Sequence, residues 1–158
     1  CGAAHARIPH VRTLRIHTRV PVVLPERIDE DSCAWLAALP LQRVVMLHAN
    51  HPHEIDETVR AACARLRETG AVLLNQSVLL RGINDEQGIL AALSERLFDC
   101  GALPCYLHQL DRVQGTAHFA VPDVDARRLV ETLRARLPGY LVPRLVREVP
   151  GSASKTPL

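Results

Sequence analysis

The sequence predicts an α/β protein in which a parallel sheet is covered by helices packed outside it. Three observations carry this. Short apolar runs of strand length recur along the chain, segments with helical spacing of apolar residues separate them, and polar residues collect where the apolar runs end. With 158 residues, 47% of them hydrophobic and 23% charged, the chain fits a single globular unit and not a disordered one.

Taken in order, residues 11–19 (VRTLRIHTR) read as a strand and a proline-rich turn follows. Residues 29–39 read as a helix whose acidic first turn suits the helix dipole. Residues 43–48 (RVVMLH) form a second strand. Residues 54–68 give the clearest helix, with Ile55, Val59, Ala62, Cys63 and Leu66 on one face and Gly70 just past its end. Residues 71–80 form a third strand, interrupted by Asn75, Gln76 and Ser77. Residues 85–99 form a helix that Asn84 or Asp85 caps and Gly101 stops. Residues 103–110 are a fourth strand. Pro122 and Asp123 open the last helix, which ends near Pro138 and Gly139. The extended stretch 140–149 then leads to the tail PGSASKTPL.

Composition excludes some classes. A net charge of +2 offers no basic stripe for nucleic acid. No apolar run approaches the roughly 18 residues of a membrane span, and no leader pattern is visible. The five cysteines include no CxxC pair, which points to free thiols in a reducing, cytoplasmic setting. Cys100 and Cys105 lack the second ligand pair of a structural zinc site.

In parallel α/β folds, chemistry gathers at the carboxyl ends of the strands. His17, Thr18 and Arg19 end the first strand here, and His48, Asn50, His51 and His53 follow the second. Gln76 lies in the third, His108, Gln109 and Asp111 end the fourth, and Glu148 and Lys155 lie in the final segment. Any one of these reads equally as a solvated strand end, but all of them together favour a site on one rim. The loop HANHPHE lacks the i, i+4 spacing of a helical zinc motif, which leaves hydrogen bonding to a cofactor, or plain loop structure, ahead of metal ligation. Lys155 is the one lysine among 19 basic residues. It reads either as an exposed tail residue or as the amine that a pyridoxal phosphate enzyme needs.

Five segments carry a resemblance: LRIHTRVPVVLPERI, NHPHEIDE, LLNQSVLLRGIND, YLHQLDRVQGTAHF and GYLVPRLVREVPGSASKTPL. In this order they resemble the lysine 2,3-aminomutase family, and HEIDE, LDRVQGTAHF and REVPG with SKTPL resemble the branch that makes (R)-β-lysine for elongation factor P. The resemblance implies a radical S-adenosylmethionine fold, a partial (β/α)6 TIM-like barrel. Residues 1–149 would be its C-terminal part and residues 150–158 a tail bearing the cofactor lysine. It implies pyridoxal phosphate held as a Schiff base on Lys155, with Gln76, Asn75 and His48 near that cofactor or S-adenosylmethionine. It places the distal ammonium of free lysine on Asp111 and Glu148, although Arg144 and Arg147 flank Glu148 and offer it other partners. The family's 4Fe-4S cluster needs a CxxxCxxC, which this sequence lacks, so the cluster ligands are expected upstream. Some relatives bind zinc through a cysteine just after GIND. Here Glu86 follows Asp85, and no metal site is expected.

The implied activity is migration of an amino group between neighbouring carbons of lysine, in a cytoplasmic protein, a possible homo-oligomer, that serves elongation factor P and its lysyl-ligase indirectly. Two other readings stay open: a non-catalytic module with a cofactor- or partner-binding surface, and an unrelated metal-dependent α/β-barrel enzyme using the histidine-rich loop.

Overall fold

A computed structural model of the chain describes residues 10–111 and 115–158. The strands are β1 (Thr13–His17), β2 (Gln42–Leu47), β3 (Val72–Leu79), β4 (Ala102–Gln109), β5 (Arg144–Arg147) and β6 (Thr156–Pro157). They form one sheet in chain order, with β1 and β6 at its edges. Neighbours from β1 to β5 are parallel, and β6 pairs antiparallel with β5. Four helices connect the parallel strands: α1 (Glu30–Ala37), α2 (Glu57–Glu68), α3 (Gln87–Asp99) and α4 (Asp123–Arg136). The sheet curls into part of a barrel, the α/β architecture expected.

The local chemistry accounts for the helix ends. Asp29 caps α1 by accepting from the Ser32 amide at 2.8 Å, and Asp56 caps α2 by accepting from Val59 at 2.9 Å. The second helix starts three residues later than the pattern predicts because Pro52–Glu54 forms its own 3-10 turn. The Glu54 carboxylate is already committed there, accepting from the amides of Asn50 and His51. Neither Asn84 nor Asp85 caps α3. Its N-cap is Glu86, without a side-chain bond, while Asp85 accepts from Gly82. The proline-rich turn after β1 contains one helical turn, Val20–Val23, and a 3-10 turn, Pro25–Arg27. Gly101 follows α3 at φ 76°, and a Cβ there would meet the Arg67 side chain at 2.5 Å.

All four helices pack on one face of the sheet. Val45, Leu47 and Leu73 join Leu36, Val59, Cys63, Leu66 and Leu97 in one buried cluster. Leu79, Leu107 and Leu145 join Leu90, Val130 and Leu133 in the other. Because side chains alternate along a strand, the residues between these positions face the open, concave side. Leu107 is fully buried at this interface. Leu107→Ala is therefore expected to lower unfolding stability by about 2–5 kcal/mol. A denaturant midpoint that hardly moved would mean that the cluster closes over the gap.

One irregularity reassigns the faces of β4. Asn75 pairs with Pro104 but Gln76 pairs with Tyr106, so Cys105 is an extra residue in the ladder. Ala102 and Leu107 both pack toward the helices although they are an odd number of positions apart. The bulge makes this possible, and it turns Tyr106 and His108 to the concave side. Pro104, which has no amide proton to offer, stands beside the extra residue.

Candidate functional site

The concave face collects the carboxyl-end side chains of every parallel strand. A cleft of about 390 Å³ is lined by Arg19, His48, Gln76, His108, Asp111 and Glu148, among others. His17 stands next to it, its ring edge-on to His48 with centroids 6.2 Å apart. Asp111 and Glu148 also line a neighbouring cavity of about 560 Å³ with Arg147 and Leu110. The expected residues His48, Gln76, Asp111 and Glu148 are thus brought together.

Lys155 reaches the same rim through the tail. The antiparallel pairing sets Arg147 opposite Thr156, which places Glu148 and Lys155 side by side across the strands. The Lys155 ammonium donates to the Glu148 carboxylate. It also lies over the Tyr106 ring, 5.5 Å from the centroid. The two arginines flanking Glu148 do not take it. Arg147 forms a two-pronged bond to Asp123, at 3.1 and 2.5 Å, and Asp123 also accepts from Gln109. This network ties the ends of β4 and β5 to the start of α4. The hydrogen bond and charge of Lys155 hold the Glu148 carboxyl below its ordinary range.

Asn75 does not join the group. Its neighbour Gln76 faces the cleft, so Asn75 faces the helices, where it is buried and fully engaged. Its carbonyl accepts from the Ala49 amide at 2.9 Å, and its amide donates to Ala49 O and Ser77 Oγ. Asn75, expected near a cofactor, here clamps β2 to β3. His108, which the sequence placed only at a strand end, is the residue missed. Its Nδ1 stands 3.9 Å from Glu148, and its ring is edge-on to Tyr106. Simple alternation along β4 gives no signal for it, because the bulge decides its direction.

Three atoms on this face are buried with no hydrogen-bond partner among the described residues: His48 Nε2, Gln76 Oε1 and His108 Nε2. Buried polar atoms are normally paired, so three orphans around one cleft mark a place for a polar ligand. Burial, followed by nearby cations, lowers the affinity of His48 for a proton, and burial does the same for His108. Both are therefore neutral at neutral pH. The sign follows: the unfolded chain takes up these protons more readily, so stability should fall as pH drops below the ordinary imidazole value. His48→Gln and His108→Gln should flatten that part of the stability profile; an unchanged slope would remove the histidines as its cause.

The histidine-rich loop closes on itself. His51 Nδ1 accepts from the His53 amide at 3.2 Å, and Arg19 pairs with Glu54 at 2.8 Å. Among the described residues no group of three or more His, Cys, Asp or Glu side chains is placed to hold a metal ion. Cys33, Cys63, Cys100 and Cys105 are free thiols, and Cys1 lies outside the described residues. Among the described residues, no helix is long and apolar enough to cross a membrane.

No family model matches the chain. Curated proteins do. The chain is 53% identical over 151 residues to the L-lysine 2,3-aminomutase of Escherichia coli (strain K12), an alignment covering 96% of this chain and 44% of that protein. It is 50% identical over 149 residues to the L-lysine 2,3-aminomutase of Haemophilus influenzae, covering 94% and 44%. It is 36% identical over 152 residues to the glutamate 2,3-aminomutase of Clostridioides difficile, covering 96% and 36%. The chain thus spans less than half the length of these curated relatives. Among solved structures, a radical SAM methyltransferase from Sphaerobacter thermophilus shares the fold, with a TM-score of 0.60 at 21% identity over 89% of this chain and 42% of that one. At identities of 40–53% running along nearly all of its residues, the chain is similar to a part of six proteins named L-lysine 2,3-aminomutase.

Proposed function

We propose that this chain supplies the amino-acid and pyridoxal phosphate side of an aminomutase that converts lysine to β-lysine with S-adenosylmethionine as radical source. The observation that supports it best is the meeting of Lys155, Glu148, Asp111 and the three orphaned polar atoms on one concave face. The names of the relatives point the same way.

The donor set fits pyridoxal phosphate. Lys155 is a part-buried primary amine against an aromatic ring, beside polar atoms that lack partners. When bound, the cofactor would supply a conjugated ring over which an unpaired electron spreads while the amino nitrogen moves. The remaining work belongs to the protein. Lys155 would anchor the aldehyde. Asp111 and Glu148 would take the distal ammonium of lysine, because a cation entering a cleft needs opposite charge to offset its lost hydration. His48, neutral, and Gln76 would orient whichever cofactor presents polar groups to them. Asp123 and Arg147 would keep the two acids in register. A 4Fe-4S cluster does not fit this chain: it has no CxxxCxxC, and none of its residues is assigned to one. The charge pattern suits a small amino acid, not nucleic acid, and free (R)-β-lysine for elongation factor P in the cytoplasm is the product use the motifs favour.

Glu148 has two claimants, the Lys155 ammonium and the substrate's. Attachment of the aldehyde to Lys155 would release the carboxylate for substrate, so cofactor would precede lysine. The central test is chemical. Borohydride reduction of the intact protein after incubation with pyridoxal phosphate should leave the pyridoxyl group on the peptide containing Lys155. A label on any other residue would reject the assignment.

A further inference from the structure

A third cavity, about 430 Å³, contains Lys155, whose ammonium pairs with Glu148 of the acid-lined cleft, but has the opposite character. Its lining includes Arg15, His17, Arg134, Arg144, Ser154 and Lys155, and no acidic side chain. Arg15 lies in β1 and Arg144 opens β5. Their sequence neighbours Leu14, Ile16 and Leu145 pack toward the helices, which turns both arginines inward. The strands that carry them are separated by three others, so only the curl of the sheet brings them to one cavity.

None of the ion pairs among the described residues uses Arg15 or Arg144. They act together on one point: burial raises the Cys105 thiol, and Arg144, Arg15 and Lys155 all oppose that rise. Guanidinium groups gathered without acids attract an oxyanion. A phosphate carries about −1.5 to −2 charges and three acceptor oxygens, and it can be held from two sides at once. One arginine fork already satisfies a carboxylate, so two that arrive from separate strands suit the phosphate better.

We infer that Arg15 and Arg144 clamp the phosphate of a pyridoxal phosphate whose aldehyde is held at Lys155. This rests on the reading of Lys155 as the cofactor lysine. It divides the concave face into an anion side, a covalent anchor and a cation side in front of Asp111 and Glu148.

Pyridoxal, which lacks the phosphate, is the discriminating probe. In the intact protein, capture of pyridoxal phosphate and of pyridoxal by Lys155 would be titrated by imine absorbance and located by borohydride trapping. Arg15→Gln and Arg144→Gln should each weaken capture of pyridoxal phosphate by about tenfold or more. Capture of pyridoxal should stay unchanged, which also shows that the variants fold. Arg144→Lys should retain more of the preference than Arg144→Gln, and inorganic phosphate should compete with pyridoxal phosphate but not with pyridoxal. A phosphate preference that survives both glutamine variants overturns the clamp. So does a change confined to the preference for lysine over cadaverine, which would assign the arginines to the substrate carboxylate. If neither aldehyde reaches Lys155 in the unaltered protein, the functional reading falls, and the clamp with it.

Discussion

Asp111→Asn is expected to reduce turnover of lysine by about a hundredfold or more, since a cation drawn into a cleft with one partner removed loses a few kcal/mol. Aldehyde capture by Lys155 should survive the change, because Asp111 is exposed and takes no part in the ion pair between Lys155 and Glu148. Glu148→Gln should behave differently. Glu148 serves the Lys155 ammonium as well as the proposed substrate, so this variant should disturb both capture and turnover. The comparison separates roles: parallel losses of capture and turnover in Asp111→Asn would make Asp111 a structural residue. Acid should mimic the Glu148 variant. The carboxyl is held below its ordinary range by Lys155, so the pair persists above that range and is lost only as pH falls through the depressed value.

Asn75→Ala and Gln76→Ala are neighbours expected to have opposite effects. Removing the Asn75 side chain leaves the Ala49 amide without its partner and takes one bond each from the Ala49 carbonyl and Ser77 Oγ, all at buried positions. A buried group left without a partner typically costs about 1–3 kcal/mol, so a loss of about 3 kcal/mol in unfolding stability is expected. Gln76 presents an oxygen that has no hydrogen-bond partner among the described residues. Gln76→Ala should change stability by less than about 1 kcal/mol while weakening ligand capture. Denaturant titration with and without pyridoxal phosphate reads both quantities. If Gln76→Ala proves the more destabilising of the two, the assignment of faces along β3 is wrong.

Much of this protein was legible without coordinates. Apolar runs and helical spacing located the strands and helices, because burial on one face imposes those periods locally. Asp29, read as the opening of the first helix, caps it, whereas the helix read from residue 54 begins only at Glu57. The motif resemblance singled out Lys155, Asp111, Glu148, His48 and Gln76, and the structure gathers these residues on one face. The relatives are similar along nearly all of this chain's residues. What the sequence could not express were relations between segments. The bulge at Cys105 turns His108 toward the cleft, since one extra residue in a ladder inverts every side chain after it. Strand alternation sends Asn75 one way and Gln76 the other, and only the helices show which way is inward. The short β6 pairing sets Lys155 beside Glu148, seven residues earlier in the chain. The curl of the sheet carries Arg15 and Arg144 to a single cavity from strands far apart in order. A residue's type and local period follow from its neighbours in sequence, but the partners of its side chain follow from how separate strands are registered and bent, which is settled by packing across the whole sheet.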